Sequence, residues 1–196
     1  MARTNYLINS YGAVNAAGQW TGWLQSFATT GPQGVITKSI VAGFYGSTAQ
    51  RFQYTAVGTD VSGDFFFSQS TAVGTFSPGE AAMVSIYLKG TNTGTTLTVF
   101  SCANNAADAW VGNGSITTVT LTPEWQRVTA AYATLPANTS RIGFYVKVAD
   151  IANGDAIDLT IDAAQVEKGS VATGYIPTIE TARTIRGVAA LMMAGV

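Results

Sequence analysis

A chain of 196 residues is long enough to bury a sizeable core as one sandwich or barrel domain. Charged residues make up 11% of it, against roughly 25% in ordinary soluble domains, and its net charge of −1 offers no basic surface for nucleic acid or an anionic membrane. Histidine is absent, which removes the usual general base and the commonest transition-metal ligand and argues against an enzyme.

The N-terminal segment predicts no targeting element. Its first ten residues hold no apolar stretch long enough for a secretory signal. The sequence also has no run of about 20 apolar residues that would span a membrane. We therefore expect synthesis and assembly in a cytoplasm.

Alternating apolar and polar side chains predict half-buried antiparallel strands. In chain order, the clearest alternation covers residues 84–89, 126–132, 142–148 and 157–162. Turn residues separate such segments at positions 77–79, 91–94, 113–114, 122–123, 136–138 and 153–155. Short strands with regular turns predict an all-β domain in which two sheets share one core.

Residues 179–196 have a different pattern. Their apolar residues follow a spacing of three and four, which favours a short helix, although Gly187 and Gly195 weaken it. A helix this short is marginal in water, so an extended arm is the alternative. We therefore divide the chain into a sandwich over residues 1–178 and a C-terminal tail over 179–196.

Candidate sugar-binding residues are outward-facing aromatic side chains with polar neighbours. Trp110 is predicted to lie on a polar loop that contains glycine and is the best single candidate. Tyr87 and Tyr145 point away from the apolar faces of their strands, and Arg51 and Gln53 could add polar contacts. The alternative for the aromatic residues is packing against a loop or a second subunit.

Acidic residues give no sign of hydrolysis. Glycosidases use two carboxyl groups, one of which has a raised pKa. The candidates, which lie in turns or on outward strand positions, are Glu80, Glu124, Asp150, Asp155 and Asp158. The lone Cys102 sits in an alternating run and is predicted to be a buried, unreactive thiol. We expect no enzyme.

Several segments together carry a family resemblance. They are the opening strand at residues 5–10, Trp20-Thr21-Gly22-Trp23, the Pro-Gly turn before residues 84–90, the tryptophan-led residues 122–128, and residues 161–178. The last segment contains Gln165-Val166-Glu167-Lys168-Gly169-Ser170 and then Tyr175-Ile176-Pro177. This succession resembles carbohydrate-binding-module-like domains of bacteriophage tail and other virion proteins, which are related to galactose-binding folds.

The resemblance implies an antiparallel jelly-roll β-sandwich with a short C-terminal helix or extended arm. It implies a non-catalytic virion structural protein, assembled in the host cytoplasm, that decorates a capsid or belongs to a tail or fibre and makes protein or glycan contacts. The alternative is a carbohydrate-binding module that attaches a particle or an enzyme to glycans. By the same resemblance, Trp23 and Trp125 are expected to pack in the core.

The expected partners are other virion proteins, a second copy of the chain and a cell-surface glycan, with neither nucleic acid nor membrane. A free tail of this composition would expose more apolar surface than soluble monomers usually tolerate. The tail residues expected to contact another subunit are Ile179, Ile185, Leu191, Met192 and Val196.

Asp162 is the candidate for a structural calcium ion. The resemblance implies that a carboxylate here, at the end of the last strand, holds the ion together with backbone carbonyls. Residues 10–15 contain no carboxylate where the family often has one, which weakens this expectation. The alternative is an aspartate held by hydrogen bonds.

Overall fold

The computed structural model describes residues 2–7, 24–27, 36–45, 48–57, 65–178 and 183–186. Within these ranges the regular structure is β-strand, without a helix, and so without one long and apolar enough to cross a membrane. The strands are β1 (Ala2–Asn5), β2 (Leu24–Phe27), β3 (Thr37–Val41), β4 (Ala49–Thr55), β5 (Phe65–Ser70), β6 (Ala82–Thr93), β7 (Thr96–Asn104), β8 (Trp110–Val119), β9 (Gln126–Tyr132), β10 (Arg141–Ala149), β11 (Ala156–Lys168) and β12 (Arg183–Arg186).

Ten of these strands form two five-stranded sheets. We call the sheet β3-β4-β11-β6-β9 the front sheet and the sheet β2-β5-β10-β7-β8 the back sheet. All their strand pairs are antiparallel. The alternating apolar residues of both sheets meet in one core, where Phe144 of the back sheet and Leu159 of the front sheet are fully buried. This arrangement is a jelly-roll β-sandwich, which confirms the predicted fold class.

Strand β8 contains residues that were predicted to form a turn between two strands. Asn113 and Gly114 lie inside β8 rather than between strands, at an irregularity in its pairing with β7. A Cβ atom at Gly114 would come within 2.3 Å of the Ser101 Oγ and 2.4 Å of the Ala131 carbonyl oxygen. The glycine therefore permits a close approach between strands, which is the other common reason for glycine in a strand.

Strand β11 occupies the centre of the front sheet, between β4 and β6. Its pairing with β6 shifts register between Asp162, opposite Tyr87, and Gln165, opposite Ser85. At this bulge Ala163 adopts a positive φ of 51°. A bulge re-aims the side chains next to it, and here it determines the contacts of Asp162 that are described below.

Asn5 connects the N-terminal segment to the end of the sandwich. Its side chain is fully buried, and its Nδ2 donates to the carbonyl oxygens of Ala164 (3.3 Å) and Ile176 (2.8 Å). Its Oδ1 accepts from the backbone N–H groups of Leu7 (3.1 Å) and Val166 (3.2 Å). One side chain thus satisfies four backbone groups from three segments that are distant in sequence.

The two described ends of the chain pair with each other. Strand β12 runs antiparallel to β1, with Ile185 opposite Arg3. The helix predicted for the tail is therefore wrong over Arg183–Arg186, and the extended alternative holds there, because the β1 edge supplies backbone hydrogen bonds to a segment too short to form a stable helix alone. Ile179, Leu191, Met192 and Val196 lie outside the described residues.

Candidate functional site

The outer face of the front sheet carries a concentration of polar side chains. Alternation along β4, β11 and β6 turns Phe52, Leu159 and Leu88 into the core. Their sequence neighbours therefore face outward. The outward residues at the centre of this face are Arg51, Gln53, Lys89, Thr91, Asp158 and Thr160.

Arg51 and Asp158 form the central ion pair of this face. The Arg51 Nε donates to Asp158 Oδ1 at 2.7 Å, its Nη2 donates to Oδ2, and Gln53 Nε2 also donates to Oδ2 at 3.2 Å. The hydrogen bond from Arg51 is the main reason that the pKa of Asp158 is lowered. A bidentate pair of this kind holds both side chains in fixed positions.

Two shallow cavities flank the ion pair. One has a volume of about 310 Å³ and is lined by Arg51, Lys89 and Pro123, among others. The other has a volume of about 190 Å³ and lies toward Gln53. Thr91 and Asp158 line both cavities, so the two form one polar groove across the sheet. Its size lies near the lower end of the roughly 300–1,000 Å³ of small-molecule sites.

Asp162, two residues along β11 from the groove-lining Thr160, holds the loop that follows β3. Its Oδ2 accepts from the backbone N–H groups of Phe44 (2.6 Å) and Tyr45 (3.1 Å), and its Oδ1 accepts from the N–H of Ala163 (2.7 Å). The carboxylate thereby fixes the segment that follows β3 against the bulge of β11. Phe44 and Tyr45 remain about half exposed, at 47% and 52%.

The fixed loop completes a cluster of rings that we call the aromatic platform: Phe44, Tyr45, Tyr87, Trp125 and Tyr175. Phe44 stacks on Tyr87 with ring centroids 4.6 Å apart, and the Tyr45 and Tyr175 centroids are 5.0 Å apart. Trp125 lies 5.9 Å from Phe44. Burial, with a further contribution from the Tyr45 hydroxyl, raises the pKa of Tyr87 to about 12, so this ring stays uncharged. The platform presents a semi-exposed aromatic surface beside a polar groove.

The calcium expectation at Asp162 stays a prediction. Burial raises the pKa of this carboxyl, although its three backbone hydrogen bonds lower it. The residues around it supply N–H donors, whereas a calcium ion requires oxygen ligands. An ion at this position would have to displace Phe44, Tyr45 or Ala163 from the carboxylate, so the described surroundings fit a hydrogen-bonded aspartate better.

The structure divides the predicted sugar-binding residues among three places. Tyr87, Arg51 and Gln53 share the outer face of the front sheet, as their alternation predicted. Tyr145 lies on the outer face of the back sheet and stacks on Phe100, with centroids 5.2 Å apart. Its outward direction is as predicted, but it is remote from the other three.

Trp110, the remaining predicted sugar-binding residue, lies in a third location, on the edge strand β8 of the back sheet. It is exposed at 66%, yet it begins β8 instead of lying on a loop. Its indole Nε1 donates to Asn113 Oδ1 at 3.0 Å. Within the described part of the chain no other aromatic ring packs against it, so it presents a single ring rather than a cluster.

Most residues of the aromatic platform were not predicted as site residues from the sequence. Trp125 was expected in the core, but it lies half-buried on the outer face, where the Lys89 Nζ sits 4.8 Å from its ring centroid. Trp125 comes directly before β9, so it is not one of the alternate residues of that strand that are buried in the core. Phe44, Tyr45 and Tyr175 lie outside strands, so no periodic pattern marks them. Trp23 lies outside the described residues.

The surroundings of Cys102 and Glu80 determine the protonation states of these two side chains. Cys102 is fully buried, and burial raises the pKa of its thiol to about 12, so it stays protonated as an unreactive side chain. Glu80 accepts from Lys168 Nζ at 2.8 Å, which lowers the pKa of Glu80. Glu80 and Asp158 are therefore both held ionised, opposite to what a glycosidase acid requires.

Comparison with known proteins supports the fold. No protein-family profile and no curated protein matches the sequence. Among solved structures, the enzymatically active domain of tailspike protein 4 from bacteriophage CBA120 is similar over 85% of this chain and 21% of its own, with a TM-score of 0.62 and 15% identity.

Two carbohydrate-binding modules are also similar. One is a carbohydrate-binding module of the β-sandwich superfamily with promiscuous specificity. It matches over 82% of this chain and 62% of its own, at a TM-score of 0.54 and 16% identity. The other, TmCBM61 in complex with β-1,4-galactotriose, matches over 83% of this chain and 97% of its own, at TM-score 0.50 and 20% identity. The fold is thus a β-sandwich of the carbohydrate-binding-module type.

Proposed function

We propose that this domain is a non-catalytic carbohydrate-binding module whose glycan site is the aromatic platform together with the polar groove of the front sheet. The observation that carries the proposal is the pair of half-exposed rings, Phe44 and Tyr45, fixed beside that groove. The similarity in fold to carbohydrate-binding modules agrees with it.

The two parts of the site suit the two surfaces of a sugar. The C–H face of a pyranose packs on an aromatic ring, while its hydroxyl groups need hydrogen-bond donors and acceptors. The groove offers both kinds of group at Gln53, Thr91 and Asp158. Because Arg51, Gln53 and Asp158 already hold one another in place, little side-chain freedom is lost when a ligand binds.

Removing the platform's exposed rings tests the proposal. In the double variant Phe44→Ala/Tyr45→Ala, affinity for a glycan retained by the wild-type protein on an array should fall roughly 5- to 150-fold, since each aromatic contact is worth about 0.5–1.5 kcal/mol. The melting temperature should change little, because both rings are about half exposed in the starting protein. Isothermal titration with the best array ligand gives the affinities.

The matched control is Trp110→Ala, which removes an exposed aromatic ring from the other sheet. It should leave glycan affinity unchanged. Loss of binding in this variant, with normal binding in the double variant, would move the site to Trp110. A wild-type protein that retains no glycan at all on the array would overturn the function itself.

A second candidate function is a structural role in a bacteriophage particle. It is favoured by the similarity to a phage tailspike domain and by the sequence resemblance described above. In this proposal the chain is assembled in the host cytoplasm, is located in the virion, and contacts other virion proteins and a second copy of itself. Residues 179–196 make the subunit contact, and since β12 pairs with β1 of the same chain, the rest of the tail supplies it.

Truncation after Thr178 tests that second proposal. The shortened chain should keep its strand-rich circular dichroism, because the sandwich strands end at Lys168. Its mass in light scattering should fall from that of an oligomer to that of a monomer. A full-length protein that is already monomeric at micromolar concentration would contradict the proposed subunit contact.

A further inference from the structure

Two of the cations around the aromatic platform form no ion pair with a carboxylate in the described part of the chain. Three cationic side chains face this surface: Arg51, Lys89 and Arg127. Of the carboxylates there, Asp158 is paired with Arg51, and Asp162 is buried beneath the Phe44–Tyr45 loop. Glu167 is buried and accepts from Thr173, and Glu124 is exposed one residue before Trp125. The whole chain has a net charge of −1, so attraction of an anion to this surface depends on where the unpaired cations lie and not on the net charge.

Lys89 has a cationic group without an anionic partner. Its Nζ lies 4.8 Å from the Trp125 ring centroid, and its side chain lines the larger cavity of the groove beside Arg51. No carboxylate in the described part of the chain forms an ion pair with it. The ammonium group thus lies where the groove meets the platform, and its N–H groups are available to donate hydrogen bonds to a ligand.

Arg127 adds a second charge that is held in place by neutral groups. Its Nη2 donates to the Ser85 Oγ at 2.9 Å and to the Thr173 carbonyl oxygen. Its guanidinium carbon lies 5.7 Å from the Tyr87 ring centroid. No described carboxylate neutralises it in an ion pair. The platform is therefore flanked by cations on two sides, at Lys89 and at Arg127.

From this arrangement we infer that the glycan taken by the site is acidic, with the sugar ring on Phe44 and Tyr45 and its carboxylate accepting hydrogen bonds from Lys89. The inference rests on the proposed glycan-binding function and narrows its ligand class. A carboxylate on the sugar supplies the partner that Lys89 lacks, and a charge-assisted hydrogen bond is about twice as strong as a neutral one.

The test compares uronic-acid oligosaccharides with their carboxyl-reduced forms, which keep the linkage and lose the charge. The probes are oligogalacturonate, oligoalginate and hyaluronan fragments. The wild-type protein should bind an acidic probe at least tenfold more tightly than its reduced counterpart, and raising the salt concentration should weaken that preference. In Lys89→Gln the ratio of the affinities for the acidic and the reduced probe should fall to about one.

Three further variants separate charge from folding. Lys89→Arg should keep the preference for the acidic probe, and Lys147→Gln, on the back sheet, should not alter it. Glu124→Gln removes an exposed carboxylate one residue before Trp125 and should raise affinity for the acidic probe. Equal binding of acidic and reduced probes by the wild-type protein would overturn the acidic preference and leave the glycan-binding function standing. Absence of binding to both would count against the function as well.

Discussion

Replacing Asn5 by alanine is expected to lower the free energy of unfolding by about 4 kcal/mol or more, because it leaves four buried backbone groups unpaired, each at a cost of at least about 1 kcal/mol. The variant leaves the N–H groups of Leu7 and Val166 and the carbonyls of Ala164 and Ile176 without the partner that Asn5 provides. Urea unfolding followed by circular dichroism measures the change.

The matched control for that variant is Gln126→Ala. The Gln126 amide donates one exposed hydrogen bond, to the Thr120 carbonyl oxygen at 2.9 Å. Water replaces such a bond, so the control should cost less than about 1 kcal/mol. An Asn5→Ala protein as stable as the control would mean that the N-terminal segment is not part of the cooperative unit.

Gly90→Ala should be the most disruptive single change next to the proposed site. Gly90 has a positive φ of 148°, and a Cβ atom there would lie 1.8 Å from the backbone oxygen of Asp158. Since the clash is with backbone, β6 and β11 must separate locally, and we expect a loss of about 2–4 kcal/mol of stability. Displacement of Asp158 should also weaken its pair with Arg51 and reduce glycan affinity.

Gly74→Ala is the control for backbone conformation alone. Gly74 also has a positive φ, of 78°, but a Cβ atom there meets nothing within 4 Å. It should cost only the conformational strain, about 1 kcal/mol, and leave glycan affinity unchanged. If the two variants unfold at the same urea concentration, the close contact with Asp158 is not what requires glycine at position 90.

The fold could be predicted from the sequence because its signals are local. Alternation such as Ile142, Phe144, Val146 and Val148 reports directly which face of a strand is buried. The same rule placed Tyr87, Arg51 and Gln53 on an outer face. It could not tell which two outward residues belong to the same sheet, because strand order depends on pairings between distant segments. Tyr145 and Tyr87 therefore show the same alternation pattern in the sequence, although they lie on opposite sheets.

The platform could not be predicted for the same reason. Phe44 and Tyr45 are held by Asp162, which is 118 and 117 residues away in the chain. Nothing around positions 44 and 45 indicates that partner, and a lone aspartate near a strand end suggests a cation as readily as a hydrogen bond. The bulge at Ala163, which aims the carboxylate at the loop, follows from the pairing of β11 with β6 and not from local residue preference.

The central position of β11 also sets the order in which the chain can fold during synthesis. Its neighbours β4 and β6 leave the ribosome long before it, yet the two sides of the front sheet are joined only through β11. At roughly 5–20 residues per second, roughly 4–15 seconds separate the end of β6 from the end of β11. Until β11 is complete, β3-β4 and, once β9 has been made, β6-β9 are separate two-stranded pieces with open edges, the state in which sheet proteins aggregate most readily. Conditions that slow translation should therefore reduce the soluble yield of this domain more than its equilibrium stability would suggest.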